Sequence, residues 1–354
     1  MVLSYRFSDS NGFELMKKLL LLMITGILLG TSTVSYAEEK SPIASAFERM
    51  RAGDNAVARG ILEPLASDGD PDAQHMLGFM EERGLGATKN LKRALELYAQ
   101  AAEGGSIDAQ FALGELAFLG DGVKRDYRRA GGWFRLAASK GHVQAKIRLG
   151  VMYAEGLGFE VDRKRAVELF EEAGNAGDAG AQYNMGVAYL VGQGVTQDYQ
   201  KSAEWFEKSA IQGSPDAQYN LALLHDSDFL GGPNRELTAK WMSAAAEGGL
   251  PAAFVAMGLM HHDGRVQSEK KNASVTAADW FEKAARSGDP QGQFLYAVSL
   301  AEGDGRTADP AQAMVWLEKS LKVEGGLAPE TRKNALKLST DLKKRIADAR
   351  GLRQ

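Results

Sequence analysis

One interval governs this chain. Gly78, Gly114, Gly150, Gly186, Ala222 and Gly258 stand 36 residues apart, and Ala297 follows after 39. Ala73, Ala109, Ala145, Ala181, Ala217, Ala253 and Gly292 keep the same intervals. All five tryptophans share a column with two leucines, namely Leu97, Trp133, Leu169, Trp205, Trp241, Trp280 and Trp316. The column after it reads Tyr98, Phe134, Phe170, Phe206, Met242, Phe281, Leu317. A fixed period of about 20–50 residues means stacked supersecondary units that each touch mainly their neighbours.

Each unit reads as two helices. Ala181 to Leu190 carries apolar residues at i, i+4 and i+8 with small residues between them, which predicts a closely packed first helix, helix A. Gly192 and Gly194 end it. Asp198 then stands where a side chain would cap helix B, and Asn90, Asp126, Asp162, Asn234 and Asp309 share its column. Helix B carries the Trp-Phe pair and closes at Gly213. Pro71, Pro215, Pro251 and Pro290 share a column just before helix A, where a missing N–H costs nothing.

The expected fold is therefore all-α, an αα-hairpin repeat solenoid of seven 36-residue repeats over residues 70–321. Residues 38–69 are expected to form an N-terminal capping half-repeat, with Ala58, Ile61, Leu62 and Gly69 one period before repeat one. Residues 322–354 are expected to form a C-terminal capping helix from Pro329, with Leu336, Leu338, Leu342 and Ile346 inward. Arg332, Lys333, Lys337, Lys343, Lys344, Arg345, Arg350 and Arg353 would give that helix a basic outer face.

Composition narrows the function. A net charge of −4 leaves no surplus of cations to neutralise phosphates, so a general nucleic-acid binder is not expected. Cysteine is absent, which excludes disulfide scaffolds, Cys-ligated zinc, thiol nucleophiles and a lipoprotein anchor. Met16, Lys17 and Lys18 precede an apolar run from Leu19 to Gly30, and Ser35-Tyr36-Ala37 offers a cleavage site before Glu38. Residues 1–37 read as a leader whose start is Met16, cut between Ala37 and Glu38. The run is too short to span a hydrocarbon core of about 30 Å, so stable membrane insertion is not expected after cleavage. The mature chain is expected to be a periplasmic or secreted monomer.

The string Ala-Gln-Tyr-Asn-Met-Gly-x-x-Tyr-x-x-Gly-x-Gly-Val from Ala181, then Asp198 and the Ala203-x-Trp-Phe206 pair with a closing Ala210 and Gly213, resembles the Sel-one-like repeat family, a relative of the tetratricopeptide repeats. The resemblance covers residues 70–321. It implies a right-handed αα superhelix that presents a concave surface to a protein or peptide, often in bacterial envelope signalling, secretion, motility or host contact. One bacterial branch of similar fold uses a Cys pair in each repeat and is linked to penicillin binding, and this cysteine-free chain departs from it.

No catalytic constellation emerges. His225 and His261 occupy equivalent helix-A positions and His262 and Asp263 follow, yet neighbours at i and i+1 diverge on a helix, so no metal site is expected. Asp226 and Asp228 read as a solvated turn rather than paired carboxylates. Gly84-Leu-Gly86, Gly120-Asp-Gly122 and Gly303-Asp-Gly305 superficially resemble phosphate loops, but no strand precedes them and no Gly-Lys-Ser/Thr follows. Asn272-Ala-Ser274 matches a glycosylation triplet that means little in a bacterial context. No cofactor is expected.

A partner surface is expected from helix-A positions that the packing columns leave free. The first such column is Met76, Ala112, Arg148, Asn184, Asn220, Ala256, Leu295, and the second is Arg83, Leu119, Glu155, Val191, Ser227, Asp263, Glu302. Arg148, Asn184 and Asn220 would form a ladder along an extended peptide, with Met76, Glu155 and Asp263 beside it; ordinary surface polarity is the competing account. The irregular fifth loop from Asp226 to Pro233 and the longer sixth connection from His261 to Thr276 either serve recognition or drift neutrally. The expected function is a non-enzymatic scaffold or adaptor of the cell envelope. An envelope enzyme acting on peptidoglycan or β-lactams, and a carbohydrate-binding scaffold using Tyr153 and Tyr189, are the alternatives.

Overall fold

The computed structural model describes residues 41–266 and 273–351. The leader with its Ala37–Glu38 junction and the sequon residue Asn272 lie outside them. Among the described residues there are helices and no strands. The described chain divides into two compact units, one ending at Gln197 and the other beginning at Asp198. That boundary falls between the two helices of repeat four, inside what the periodicity reads as one continuous array.

The first unit opens with α1 (Pro42–Ala52) and α2 (Asn55–Ser67) and continues with α3 (Pro71–Arg83), α4 (Leu91–Glu103), α5 (Ile107–Leu119), α6 (Tyr127–Ser139), α7 (Val143–Glu155), α8 (Arg163–Asn175) and α9 (Ala179–Val191). Each helix packs on the next in sequence. The expected half-repeat at the N-terminus is a complete hairpin, with Ala58 and Leu62 fully buried against Leu77 and Met80 of repeat one.

The second unit contains α10 (Tyr199–Ile211), α11 (Pro215–His225), a single 3₁₀ turn (Asp228–Leu230), α12 (Arg235–Glu247), α13 (Pro251–His262), α14 (Ala273–Arg286), α15 (Pro290–Glu302), α16 (Pro310–Lys322) and α17 (Pro329–Gly351). Consecutive helices again pack pairwise. The capping helix α17 turns Ala335, Leu338, Leu342 and Ile346 inward, whereas Leu336 is 53% exposed. The stripe therefore begins one residue earlier than expected, because positions i, i+3 and i+7 share a helix face and 336 does not lie on it. Two of its cations are tied to carbonyls: half-buried Arg332 donates to the Leu321 carbonyl (3.2 Å), and Arg345, which stays exposed, donates to the Ala301 carbonyl (3.0 Å).

The repeating columns account for the packing. Tyr98, Phe134 and Phe170 in the first unit, and Phe206, Phe281 and Leu317 in the second, are all buried. The tryptophans sit inward too, Trp205 and Trp241 buried and Trp133, Trp280 and Trp316 half-buried. In the second unit each indole is covered by an ammonium group: Lys208, Lys240, Lys283 and Lys319 lie 3.8, 4.4, 4.0 and 4.0 Å from the ring centroids. The expected helix-B caps are in place. Asn90, Asp126, Asp162, Asp198, Asn234 and Asp309 each accept the N–H three residues on, at 2.9–3.1 Å.

Two devices tie one repeat to the next. The loop after helix A folds back on the first turn of the preceding helix B. At Gly158, with φ +75°, a Cβ would meet Tyr127 C and Arg128 N at 2.7 and 2.9 Å, so both the left-handed backbone and the close approach require glycine there. A column of buried glutamines does the second job. The side-chain amides of Gln74, Gln110, Gln182 and Gln218 donate to the carbonyls of Ala66, Ala102, Gly174 and Ala210, at 3.0–3.3 Å, each at the end of the preceding helix. Carbonyls there have no intrahelical partner, so a buried donor is stabilising.

Candidate functional site

The candidate surface is the outward stripe of the A helices, taken in each unit separately. In the first unit the column Met76, Ala112, Arg148, Asn184 lies along seams between helices. Met76 is half-buried against the N-terminal core. Arg148 on α7 reaches across to Glu115 on α5 (2.6 Å), and its guanidinium lies 5.7 Å from the Phe118 ring centroid. Asn184 on α9 is 0% exposed, and neither its Nδ2 nor its Oδ1 has a hydrogen-bond partner. In the second unit Asn220 is buried as well, and its Nδ2 donates to the Asp216 carbonyl one turn back (2.9 Å).

This arrangement differs from the expected ladder. Asn184 and Asn220 do not offer their amides to solvent, and Arg148 is half-buried in an ion pair. The Arg148–Glu115 pair joins the A helix of repeat three to that of repeat two, so at this position the column faces a neighbour.

The second column is the accessible one. Arg83 and Glu155 are exposed, Leu119 is 52% and Val191 40% exposed. Arg83 also covers the half-buried Phe79 ring at 5.6 Å. In the second unit Asp263 and Glu302 are exposed at the corresponding ends of α13 and α15. Arg265 spans two repeats there, donating to Asp226 (2.9 Å) and Asp263 (3.5 Å), and His262 lies 3.7 Å from Asp304. Inward of this acidic rim, Leu223, Ala256, Leu259, Leu295 and Val298 are half-buried. Glu155 and Asp263 are thus the two expected partner residues that the fold exposes. The physical signal that separates them from Asn184 is position, the last turn of helix A, where the stacked neighbours no longer cover the side chain.

The remaining candidates have structural surroundings. His261 is buried and His225 half-buried, and desolvation holds both below the usual imidazole range. Among the described residues no three His, Asp or Glu side chains stand close enough to share a metal ion. Asp226 is bound by Arg265, and exposed Asp228 opens the 3₁₀ turn, so the two are not a working carboxylate pair. Tyr153 is half-buried and stacked on Phe159 at 4.8 Å, and Tyr189 is half-buried. In the fifth loop Phe229, 57% exposed, stacks on Tyr199 at 4.1 Å.

Sequence reasoning missed the role of His142. Its Nδ1 accepts the Ala145 N–H (3.1 Å) as the cap of α7, its ring stacks on Phe111 at 4.5 Å, and its Nε2 lies 3.5 Å from Asp108. The Asp108 carboxylate is held low by that imidazole, against the opposing effect of burial. The signal available was positional, since His142 stands where Ser106 and Asp178 cap the flanking A helices.

No helix among the described residues is long and apolar enough to cross a membrane. The family described as Sel1 repeat matches at residues 71–106, 107–142, 143–178, 179–214, 215–250, 252–289 and 290–322. A Sel1 repeat protein from Oxalobacter formigenes is similar in structure, with 26% identity over 70% of this chain and 97% of that one and a TM-score of 0.62. A protective antigen of uropathogenic Escherichia coli displaying an SLR fold is 26% identical over 87% of this chain and 85% of its own, with a TM-score of 0.46. A sel1 repeat protein from Klebsiella pneumoniae is 22% identical over 54% of this chain and 93% of its own, with a TM-score of 0.36. No curated protein sequence matches the chain.

Proposed function

The chain belongs to the Sel1 repeat family, and from that premise we propose that it is a non-enzymatic scaffold of the bacterial cell envelope that holds a protein or peptide partner on its helix-A faces. Sel1 repeat proteins generally act as protein-interaction scaffolds. The observation that carries the reading here is the contrast between columns. Packing positions repeat nearly unchanged, whereas the exposed end-of-helix column changes from Arg83 and Leu119 to Glu155 and Val191, and then to Asp263 and Glu302. Repetition is what a shared core demands, and variation on an accessible edge is what selective recognition uses. Export is the reading of the sequence from Met16 to Ala37, and a monomer is the assumed working form.

The test is site-specific photocrosslinking in cells. A photoreactive residue at 155 or 263 is expected to trap the same envelope protein, and one at the helix-B positions 207 or 283 is not. Crosslinks confined to helix B, or retention of the uncut chain in the cytoplasm, would overturn the proposal. So would turnover of a chromogenic β-lactam by the purified chain at a rate above a mock preparation.

A further inference from the structure

One loop position changes among repeats, from Ala87 to Val123, Phe159, Val195 and Arg306, and the repeat geometry turns that difference into a cavity. In repeat three the residue is Phe159. Its ring stacks on Tyr153 at 4.8 Å with an interplanar angle of 19°, the Arg135 guanidinium lies 5.1 Å from its centroid, and Gly131 and Met152 lie beside it. One period earlier the same five positions hold Val123, Ala117, Ala99, Leu95 and Leu116. Three of those replacements delete a ring or a guanidinium, and Gly131 to Leu95 restores only part of the volume. All five residues line a cavity of about 360 Å³ in the first unit, and Trp133 closes one side.

The repeat three arrangement shows the chemistry such a space attracts where Gly131 leaves room for a ring. Phe159 is a built-in occupant, a flat apolar group held between a ring and a cation. Around the repeat two cavity stand Lys124, Arg125, Arg129 and Asp126, all exposed, so cations outnumber anions three to one. The Arg125 guanidinium donates to the Leu119 carbonyl at 3.1 and 3.2 Å, and the Asp126 carboxylate caps α6 through the Arg129 N–H at 3.0 Å. Both groups are held at fixed places by these bonds. The corresponding cavity of repeat seven, about 520 Å³, has a different chemistry, because Arg306 occupies the Phe159 register there and is clamped by Asp279 and Glu282, each at 2.7 Å. A ring would meet an ion cluster in that place.

We propose that the repeat two cavity, bounded by α4, α5, α6 and the loop of residues 120–126, is a binding site for an aromatic ring that carries a carboxylate. The ring takes the space that the Tyr153 ring and the Arg135 side chain fill one period later, where repeat two has Ala117 and Ala99, and the carboxylate meets the cationic side of the opening. The cavity size lies within the range of about 300–1,000 Å³ usual for small-ligand sites. The same chemistry is offered by the C-terminal aromatic residue of a peptide and by a free arylalkanoic acid. This site is separate from the helix-A column proposed for the protein partner, and it stands or falls apart from it.

The full chain is titrated with N-acetyl-Gly-Gly-Phe, with its C-terminal amide, and with 3-phenylpropionate, following the Trp133 indole N–H by heteronuclear NMR. Saturable shifts at Trp133 are expected with a dissociation constant on the order of 0.1–1 mM, and the amide should bind about tenfold more weakly. Equal affinity for peptide and free acid assigns the site to the acid, and preference for the peptide assigns it to a chain terminus. Val123→Phe combined with Leu95→Gly recreates the repeat three pairing, fills the cavity with this protein's own ring and should abolish the shifts. Ala117→Tyr, which copies Tyr153, gives an independent block if that variant folds poorly. Absence of saturation at Trp133 for all three probes would overturn the proposal, as would unchanged binding by either well-folded variant.

Discussion

Gly150 lets the Phe170 ring lie directly on the backbone of α7: a Cβ at residue 150 would stand 2.5 Å from Phe170 Cε1. The same relation joins Gly78 to Tyr98, at 2.9 Å, and Gly258 to Phe281. Where the first column carries alanine, the second has no ring. Ala222 is paired with Met242, and Ala297 with Leu317. One methyl group and one aromatic ring compete for a single space, and each repeat holds one of them.

Gly150→Ala should therefore destabilise the chain by about 1–3 kcal/mol, although alanine at an open helix position would stabilise by about 1 kcal/mol. Phe170→Met, copied from repeat five, should recover part of the loss when combined with it. Urea denaturation of the double-mutant cycle measures the coupling, expected at about 1 kcal/mol or more.

Asn184→Leu should raise stability by about 1 kcal/mol or more. Its buried amide has no hydrogen-bond partner, and an unsatisfied buried polar group costs about 1–3 kcal/mol. A lower denaturation midpoint for this variant would show that the amide contributes something the leucine cannot replace.

Removing one helix-B cap should cost less than a core defect and be local. Asp162→Ala should lose about 1 kcal/mol, because the Arg165 N–H, now bonded at 2.9 Å, is left to water. Asp162→Asn keeps an acceptor and should lose a few tenths at most. Hydrogen exchange at the first turn of α8 reports the difference directly.

Acid should weaken the fold before carboxylates titrate. His75, His225 and His261 are all held below the usual imidazole value of about 6.5, each chiefly by desolvation. The unfolded chain then binds protons that the folded chain refuses, so stability is full above about pH 6.5 and falls as pH drops through the lowered folded values. Asp108, held below the usual carboxylate range, adds a further loss at lower pH. Thermal midpoints recorded from pH 8 to pH 5 should decline, and His75→Gln should flatten the curve.

The helices and their caps were legible because they depend on neighbours within a few residues. Asp126 and Asp309 cap wherever they fall at the start of an amphipathic run, and the Trp and Phe columns repeat with the core. The candidate surface was legible only in its second column. Asn184 and Glu155 are both polar, both on an A helix, and both outside the packing columns, yet one is buried and one exposed. His142 was hidden for the converse reason: a cap needs an acceptor at a given place, and an imidazole supplies one without belonging to the usual set.

Period, helix-pair architecture and the identity of the core columns were determined by the sequence alone, since a regular spacing of apolar and small residues admits one kind of stacking. Tertiary structure decided which polar residues reach solvent, because that depends on how closely each A helix leans on the one before it. It also decided the cavity beside Val123, because that space is a volume difference among residues of three separate elements, and no one-dimensional spacing encodes such a sum.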